Sequence, residues 1–174
     1  DRLLGRLTRI QLESGGEAVL PAWAPAAAET VAGSLRGRLL RLGRDGEEAL
    51  RLWREQPWMW DGIFAACRVC ARMGHTGQTL SALSRELPAC ATVRAEVPLR
   101  SGRGRVIGAV LADGEGAESQ GEGVRARVGE GWIYLIPASR RQALRVIAEA
   151  SGMEAARELC HQYEEKLRSL DERV

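Results

Sequence analysis

Val124-Arg125-Ala126-Arg127-Val128-Gly129-Glu130-Gly131-Trp132-Ile133-Tyr134-Leu135-Ile136 holds two strand patterns joined by a turn, and its reading decides the fold. Val124, Ala126 and Val128 alternate with Arg125 and Arg127, the period of two expected of a half-buried antiparallel strand. Gly129-Glu130-Gly131 suits a short hairpin turn. Trp132 to Ile136 is apolar on both faces, which predicts a central strand. Working outward, Leu144-Arg145-Val146-Ile147-Ala148-Glu149-Ala150 supplies the last strand of this region, and Val93, Ala95 and Val97, alternating with Arg94 and Glu96, the first. A helix is expected within Gly104 to Ala112. Ser151-Gly152-Met153-Glu154 reads as a capping box for a final helix. There Met153, Ala156, Cys160, Tyr163, Leu167 and Leu170 make one apolar stripe, suited to lying on a sheet. Residues 113–123, rich in Gly and Glu, predict a mobile acidic loop. Residues 89–174 are thus expected to form a strand–helix–strand–strand–strand–helix unit.

Residues 1–88 follow another pattern. Leu3, Leu4, Leu7, Ile10 and Leu12 recur at helical spacing, and Ser14-Gly15-Gly16 stops that helix. Ala18-Val19-Leu20 and Leu39-Leu40-Arg41-Leu42 read as short buried strands. Between them, Pro25 and Ala26-Ala27-Ala28-Glu29 suit the first turn of a helix. Asp45 is the expected cap of a helix through Leu52, and Asp61 that of a helix bearing Cys67 and Cys70. Thr79 to Leu87 is a further helix, with Leu80, Leu83 and Leu87 on one face and Pro88 as its stop. Strand–helix–strand–helix order with short connections implies parallel βα units. The fold class is therefore α/β plus α+β: a truncated parallel βα layer, then a small antiparallel sheet with helices on one face.

A chain of 174 residues, 45% hydrophobic and 28% charged, is globular in composition and allows two small domains at most. No apolar run approaches the roughly 18 residues of a membrane span. Asp1-Arg2-Leu3-Leu4 lacks the basic and apolar regions of a secretion signal, and it opens without Met. The expectation is a cytoplasmic piece of a longer chain. Lys166 is the one lysine among 25 basic residues, a bias better explained by coding than by function. The arginines are interleaved with 23 acids along the chain, so neither a nucleic-acid nor a membrane partner is expected.

Cys67-Arg68-Val69-Cys70 matches C-x-x-C, with Cys160 and His161 as further candidate ligands. Zinc sites of that type need a turn around each pair, whereas Ile63 to Ala71 reads as buried helix. Core packing is therefore the expectation, with metal and redox work as the alternative. No metal ligand, cofactor or catalytic residue is assigned within the chain.

Several stretches together carry a resemblance. Gly131-Trp132-Ile133-Tyr134-Leu135-Ile136-Pro137, followed by Leu144-Arg145-Val146-Ile147-Ala148-Glu149-Ala150 and a long helix, resembles the C-terminal domain of the phosphoglucomutase/phosphomannomutase (α-D-phosphohexomutase) superfamily. Asp61-Gly62-Ile63-Phe64-Ala65-Ala66 and Leu80-Ser81-Ala82-Leu83-Ser84-Arg85-Glu86-Leu87-Pro88 are similar to the end of the family's third domain. Ala18-Val19-Leu20-Pro21-Ala22-Trp23-Ala24-Pro25 is similar to that domain's strand and helix start. The resemblance makes residues 1–88 a partial third domain and 89–174 the fourth. It implies the C-terminal half of a four-domain enzyme that moves phosphate on a hexose. The family's phosphoserine loop, Thr-Ala-Ser-His-Asn-Pro, and its Mg²⁺ loop, Asp-x-Asp-x-Asp, are absent from this sequence. Mg²⁺ is accordingly expected in the parent enzyme rather than here.

The sites implied for these two domains are altered. The family's sugar loop, Gly-Glu-x-Ser-Gly-His, should precede Asp61; Arg54-Glu55-Gln56-Pro57-Trp58-Met59-Trp60 stands there, with Glu55 alone as a match. The phosphate-gripping Arg-Pro-Ser-Gly-Thr-Glu-Pro corresponds to Ile136-Pro137-Ala138-Ser139-Arg140-Arg141-Gln142, with Ile136 in place of the arginine. Ser139, Arg140 and Arg141 are candidates to hold a phosphate, with a solvated basic turn as the other reading. Arg145 matches the family's strand arginine, or is a structural ion-pair partner. Trp53, Trp58 and Trp60 cluster where the family handles sugar, and core packing, an interface and sugar stacking are the three readings. The resemblance thus implies a non-catalytic mutase-like part of a bacterial protein of the mannose-1-phosphate guanylyltransferase type, structural, oligomerising or regulatory. Its implied partners are upstream domains of the same chain, a second copy, or a sugar phosphate. A part of an active mutase and a phosphosugar-binding module are the alternatives.

Overall fold

In the C-terminal unit, Cys90–Val174, the hairpin read from Val124 to Ile136 is the middle of the sheet. The computed structural model describes residues 2–113, 116–139 and 141–173. This unit runs β3 (Ala91–Pro98), α6 (Arg103–Asp113), β4 (Ala117–Gln120), β5 (Gly123–Val128), β6 (Gly131–Pro137), β7 (Ala143–Ala150) and α7 (Met153–Arg173). The five strands lie in the antiparallel order β3-β7-β6-β5-β4, which makes the doubly apolar β6 central.

Register fixes the faces. Val124 opposes Leu135, Leu135 opposes Val146, and Val97 opposes Leu144. These side chains meet Val106 and Val110 of α6 and Leu159, Cys160, Leu167 and Leu170 of α7 in a single core, so both helices cover one face. A Cβ on Gly131 would lie 2.8 Å from both Glu149 O and Leu159 Cδ2, so only glycine lets β6 begin beneath α7. The other face carries the alternate residues. There the Arg125 guanidinium stacks 4.1 Å over the Trp132 ring, and the Tyr134 hydroxyl donates to Gln120 O at 2.9 Å.

Two details differ from the sequence reading. The stretch expected as a loop over 113–123 contains β4, paired with β5 from Ala117↔Ala126 to Gln120↔Gly123. Its Gly- and Glu-rich composition has low strand propensity, and the partner strand supplies the order. The final helix opens at Met153, and Gly152 O accepts its first bond from Ala156 N, so Ser151 lies one residue outside the expected capping box. At the far end of α7, Asp171 accepts from Arg100 N (2.7 Å) and Ser101 N (2.8 Å), and also from the Ser101 hydroxyl. The Arg100 N–H above all, then the Ser101 hydroxyl, holds its carboxyl below the usual carboxylate range.

The N-terminal unit, Asp1–Ala89, runs α1 (Arg2–Glu13), β1 (Ala18–Leu20), α2 (Ala27–Ser34), β2 (Leu39–Arg41), α3 (Gly46–Arg54), a 3-10 turn at Pro57–Met59, α4 (Gly62–Thr76) and α5 (Leu80–Arg85). β1 and β2 pair in parallel with α2 between them. A two-stranded sheet leaves the outer edge of β1 with unmet hydrogen bonds, yet Val19 is fully buried. Gln56 closes that edge. Its carboxamide accepts from Val19 N at 2.9 Å and donates to Val19 O at 3.0 Å, doing for one residue what a third strand would do. Arg41 is likewise buried and converges on Pro21 O, Ala24 O and Pro25 O, with Glu29 at 3.2 Å, fixing the turn into α2.

Asp61 caps α4 by accepting from Ile63 N and Phe64 N, as expected. Asp45 stands at the N-cap of α3, but its carboxylate turns back to Arg41 N at 2.5 Å instead of capping. Leu83 is buried while Leu80, on the expected core face of α5, is 52% exposed. Cys67 and Cys70 are exposed rather than packed in the core, because α4 presents Ala65 and Val69 inward instead. Among the described residues, no helix is long and apolar enough to cross a membrane.

Candidate functional site

The turn between β6 and β7 is the natural place to look for phosphate chemistry, and it is bonded to itself and to its neighbours. Ala138 N donates to Ala143 O at 3.0 Å, and Ala143 N to Arg141 O at 2.9 Å, closing the hairpin. Arg103, at the start of α6, donates Nη1 to Ala138 O at 2.7 Å. Gln142 Nε2 donates to Arg100 O (3.1 Å) and Ser101 O (2.7 Å), while Gln142 O accepts from Leu99 N at 2.8 Å. The turn is thereby fastened to the segment entering α6.

Beside it lies an open cleft of about 630 Å³, lined by Arg103, Gly104, Ile107, Glu122, Pro137, Ala138 and Ser139. The N-terminus of α6 opens into it, which favours an anion, while Glu122 opposes one. Ser139 and Arg141 are exposed on the turn, and Arg140 lies outside the described residues. Arg145 does not join them. It projects from the sheet face away from the helices, opposite Ile136 in register, and Glu96 holds it at 2.7 Å. The cleft's strongest cation, Arg103, is one that sequence reasoning missed. An arginine in the first turn of a helix opposes the macrodipole, and that mismatch was the available signal that it bonds elsewhere.

The stretch ahead of Asp61 is also committed to structure. Glu55 is exposed just past the end of α3 and meets no side-chain partner among the described residues, while its neighbour Gln56 seals β1. The three tryptophans separate. Trp58 is 3% exposed, packed among Leu7, Leu20, Ala24, Ala28, Ala65 and Val69, with Nε1 donating to Gln11 Oε1 at 3.3 Å, and so is core rather than interface. Trp53 is half-buried against Val19, Leu40, Ala49 and Leu52. Trp60 stands out at 61% exposure.

Among the described residues, no three His, Cys, Asp or Glu side chains gather to hold a metal ion. Cys160 is buried, and burial pushes its thiol up, with Glu164 adding to the effect, so it behaves as an apolar core residue and not a nucleophile.

No family model and no curated protein matches the chain. Among solved structures it is similar to N-acetylphosphoglucosamine mutase of Aspergillus fumigatus. The structure of that enzyme in complex with GlcNAc-6P and magnesium is 13% identical with a TM-score of 0.65, over 98% of this chain and 44% of that one. A second structure of the enzyme, studied as an antifungal target, is 14% identical with a TM-score of 0.65, over 98% and 43%. The chain therefore spans less than half the length of the mutase it matches. At this identity the likeness is one of fold. A small parallel sheet with helices, followed by a five-stranded antiparallel sheet with a C-terminal helix, is a phosphohexomutase-like architecture.

Proposed function

We infer that the chain is a non-catalytic, mutase-like module of sugar-phosphate metabolism with a structural, oligomerising or regulatory role. The enzyme class that suits it is a bacterial nucleotide-sugar synthase of the mannose-1-phosphate guanylyltransferase type. One observation supports the reading: the β6–β7 turn, which the sequence resemblance sets against the family's phosphate loop, is bonded to itself and to Arg103. Ile136 stands where the family's motif has a guanidinium, the donors Ala138 N, Ala143 N and Arg103 Nη1 are already engaged by main-chain carbonyls, and Arg145 is held by Glu96 on the other sheet face. Phosphoryl transfer depends chiefly on charge placed around the moving group. The exposed Ser139 and Arg141 supply little of that.

The test is turnover. The purified chain is incubated with glucose 1-phosphate or mannose 1-phosphate, the matching 1,6-bisphosphate and Mg²⁺, and the 6-phosphate is measured with a coupled dehydrogenase. No 6-phosphate above the blank is expected. Sustained conversion would overturn the reading in favour of an active mutase part.

A further inference from the structure

The outer side of α4 is unusual for a surface helix. The arginines of α4 turn inward: Arg68 Nη1 donates to Gln11 Oε1 of α1 at 2.9 Å, and Arg72 Nη2 meets Glu13 at 2.6 Å. Outward, Ile63, Cys67, Cys70 and Gly74 form an exposed centre line, flanked by the exposed Phe64, Ala66 and Ala71. Ile63 is 80% exposed, and Trp60, just ahead of the helix, 61%. The spacing of that centre line is 4, 3 and 4 residues, the heptad seam along which two helices pair. Apart from His75 in the last turn, no exposed residue of α4 is titratable through a charged side chain; the two thiols are free.

We propose that this face binds a second copy of the same chain, α4 against α4 and antiparallel, across a two-fold axis between Cys67 and Cys70. Three features select that occupant. The face is uncharged, so a copy of itself meets no like-charge repulsion, while a charged partner finds nothing complementary. It also tapers from Ile63 and Phe64 at one end to Ala71 and Gly74 at the other. The two-fold axis sets each bulky end on the partner's small end: Ile63 over the partner's Gly74, Ala66 over the partner's Ala71, and Cys67 beside the partner's Cys70. Finally, three large apolar side chains stand open at its bulky end, Ile63 at 80% exposure, Trp60 at 61% and Phe64 at 41%, and a paired helix would cover them. The inference rests on the oligomerising role proposed above and names its surface.

Sedimentation of the 174-residue chain from about 1 to about 200 µM tests it. The expected mass rises from 19.0 kDa toward twice that value, and Ile63→Glu, an exposed position, stays monomeric with an unchanged melting curve. Oxidation with diamide links the wild type through Cys67 and Cys70. Cys67→Ser and Cys70→Ser alone link poorly, and their mixture regains the link, as an antiparallel register requires. A chain monomeric at every concentration, an Ile63→Glu variant that still dimerises, or single variants that link as well as their mixture would each overturn the proposal. A monomer that also lacks mutase turnover removes this interface while leaving the non-catalytic reading intact; turnover in either state overturns that reading separately.

Discussion

Gln56 closes the outer edge of the two-stranded sheet in the N-terminal unit. Val19 is fully buried between neighbours, and both its peptide groups on the outer edge of β1 depend on one carboxamide. Replacing Gln56 by alanine leaves a buried N–H and C=O without partners, at about 1–3 kcal/mol each. Gln56→Ala is expected to lower stability by about 3 kcal/mol in urea unfolding, whereas Glu55→Ala, next to it and exposed, changes stability by less than about 0.5 kcal/mol. Equal effects at the two positions would mean that the edge is satisfied some other way. Asp171 is the matching residue in the C-terminal unit. Its carboxyl lies below its unfolded value, so the unfolded chain takes up the proton first as pH falls. The stabilisation is complete above the unfolded carboxylate value near pH 4 and disappears as pH drops through the folded one. Melting of wild type and Asp171→Ala from pH 7 to pH 2.5 should show a gap that is constant at neutral pH and closes in acid. A gap independent of pH would assign the effect to packing.

At the scale of elements, β6 and β7 were legible because a period of two with an apolar second face leaves few alternatives, and the register from Trp132↔Glu149 to Pro137↔Leu144 follows that pattern. β4 was not legible. Glu118 and Ser119 have no hydrophobic alternation, and the strand exists because β5 presents an unpaired edge to it. Hydrogen exchange should therefore rank the sheet: the segment 117–120 exchanges well before 131–137, yet later than an unstructured reference peptide. Exchange of 117–120 at the unstructured rate would restore the loop reading. The orientation of α4 was also hidden. Periodicity places Ile63, Cys67 and Cys70 on one stripe but not on the inner or outer side, and the decision lies with Gln11 and Glu13, some 60 residues away, which draw Arg68 and Arg72 inward. Of the candidate site, the β6–β7 turn could be read from its flanking strands. Arg103, which holds that turn, could not, because a bond to Ala138 O spans 35 positions and follows no local pattern.

For the whole molecule, both units share the architecture of part of a sugar-phosphate mutase, and the two stretches that the proposed function sets against its sugar and phosphate loops are bonded into the structure. The stretch ahead of α4 seals β1 through Gln56 and fills a core with Trp58. The β6–β7 turn closes on itself and on Arg103. The proposed non-catalytic role separates fold from chemistry, as is possible where function resides in a few groups placed on a common scaffold. Titration of the isotopically labelled chain with mannose 1-phosphate, following the amide signals of Ser139 to Gln142, addresses this claim most directly. The expected result is no saturable movement of those signals up to about 10 mM, a concentration at which affinity of even −3 kcal/mol would register. Saturable shifts confined to the turn, and abolished by Arg103→Ala, would contradict it and restore the turn as a working phosphate grip.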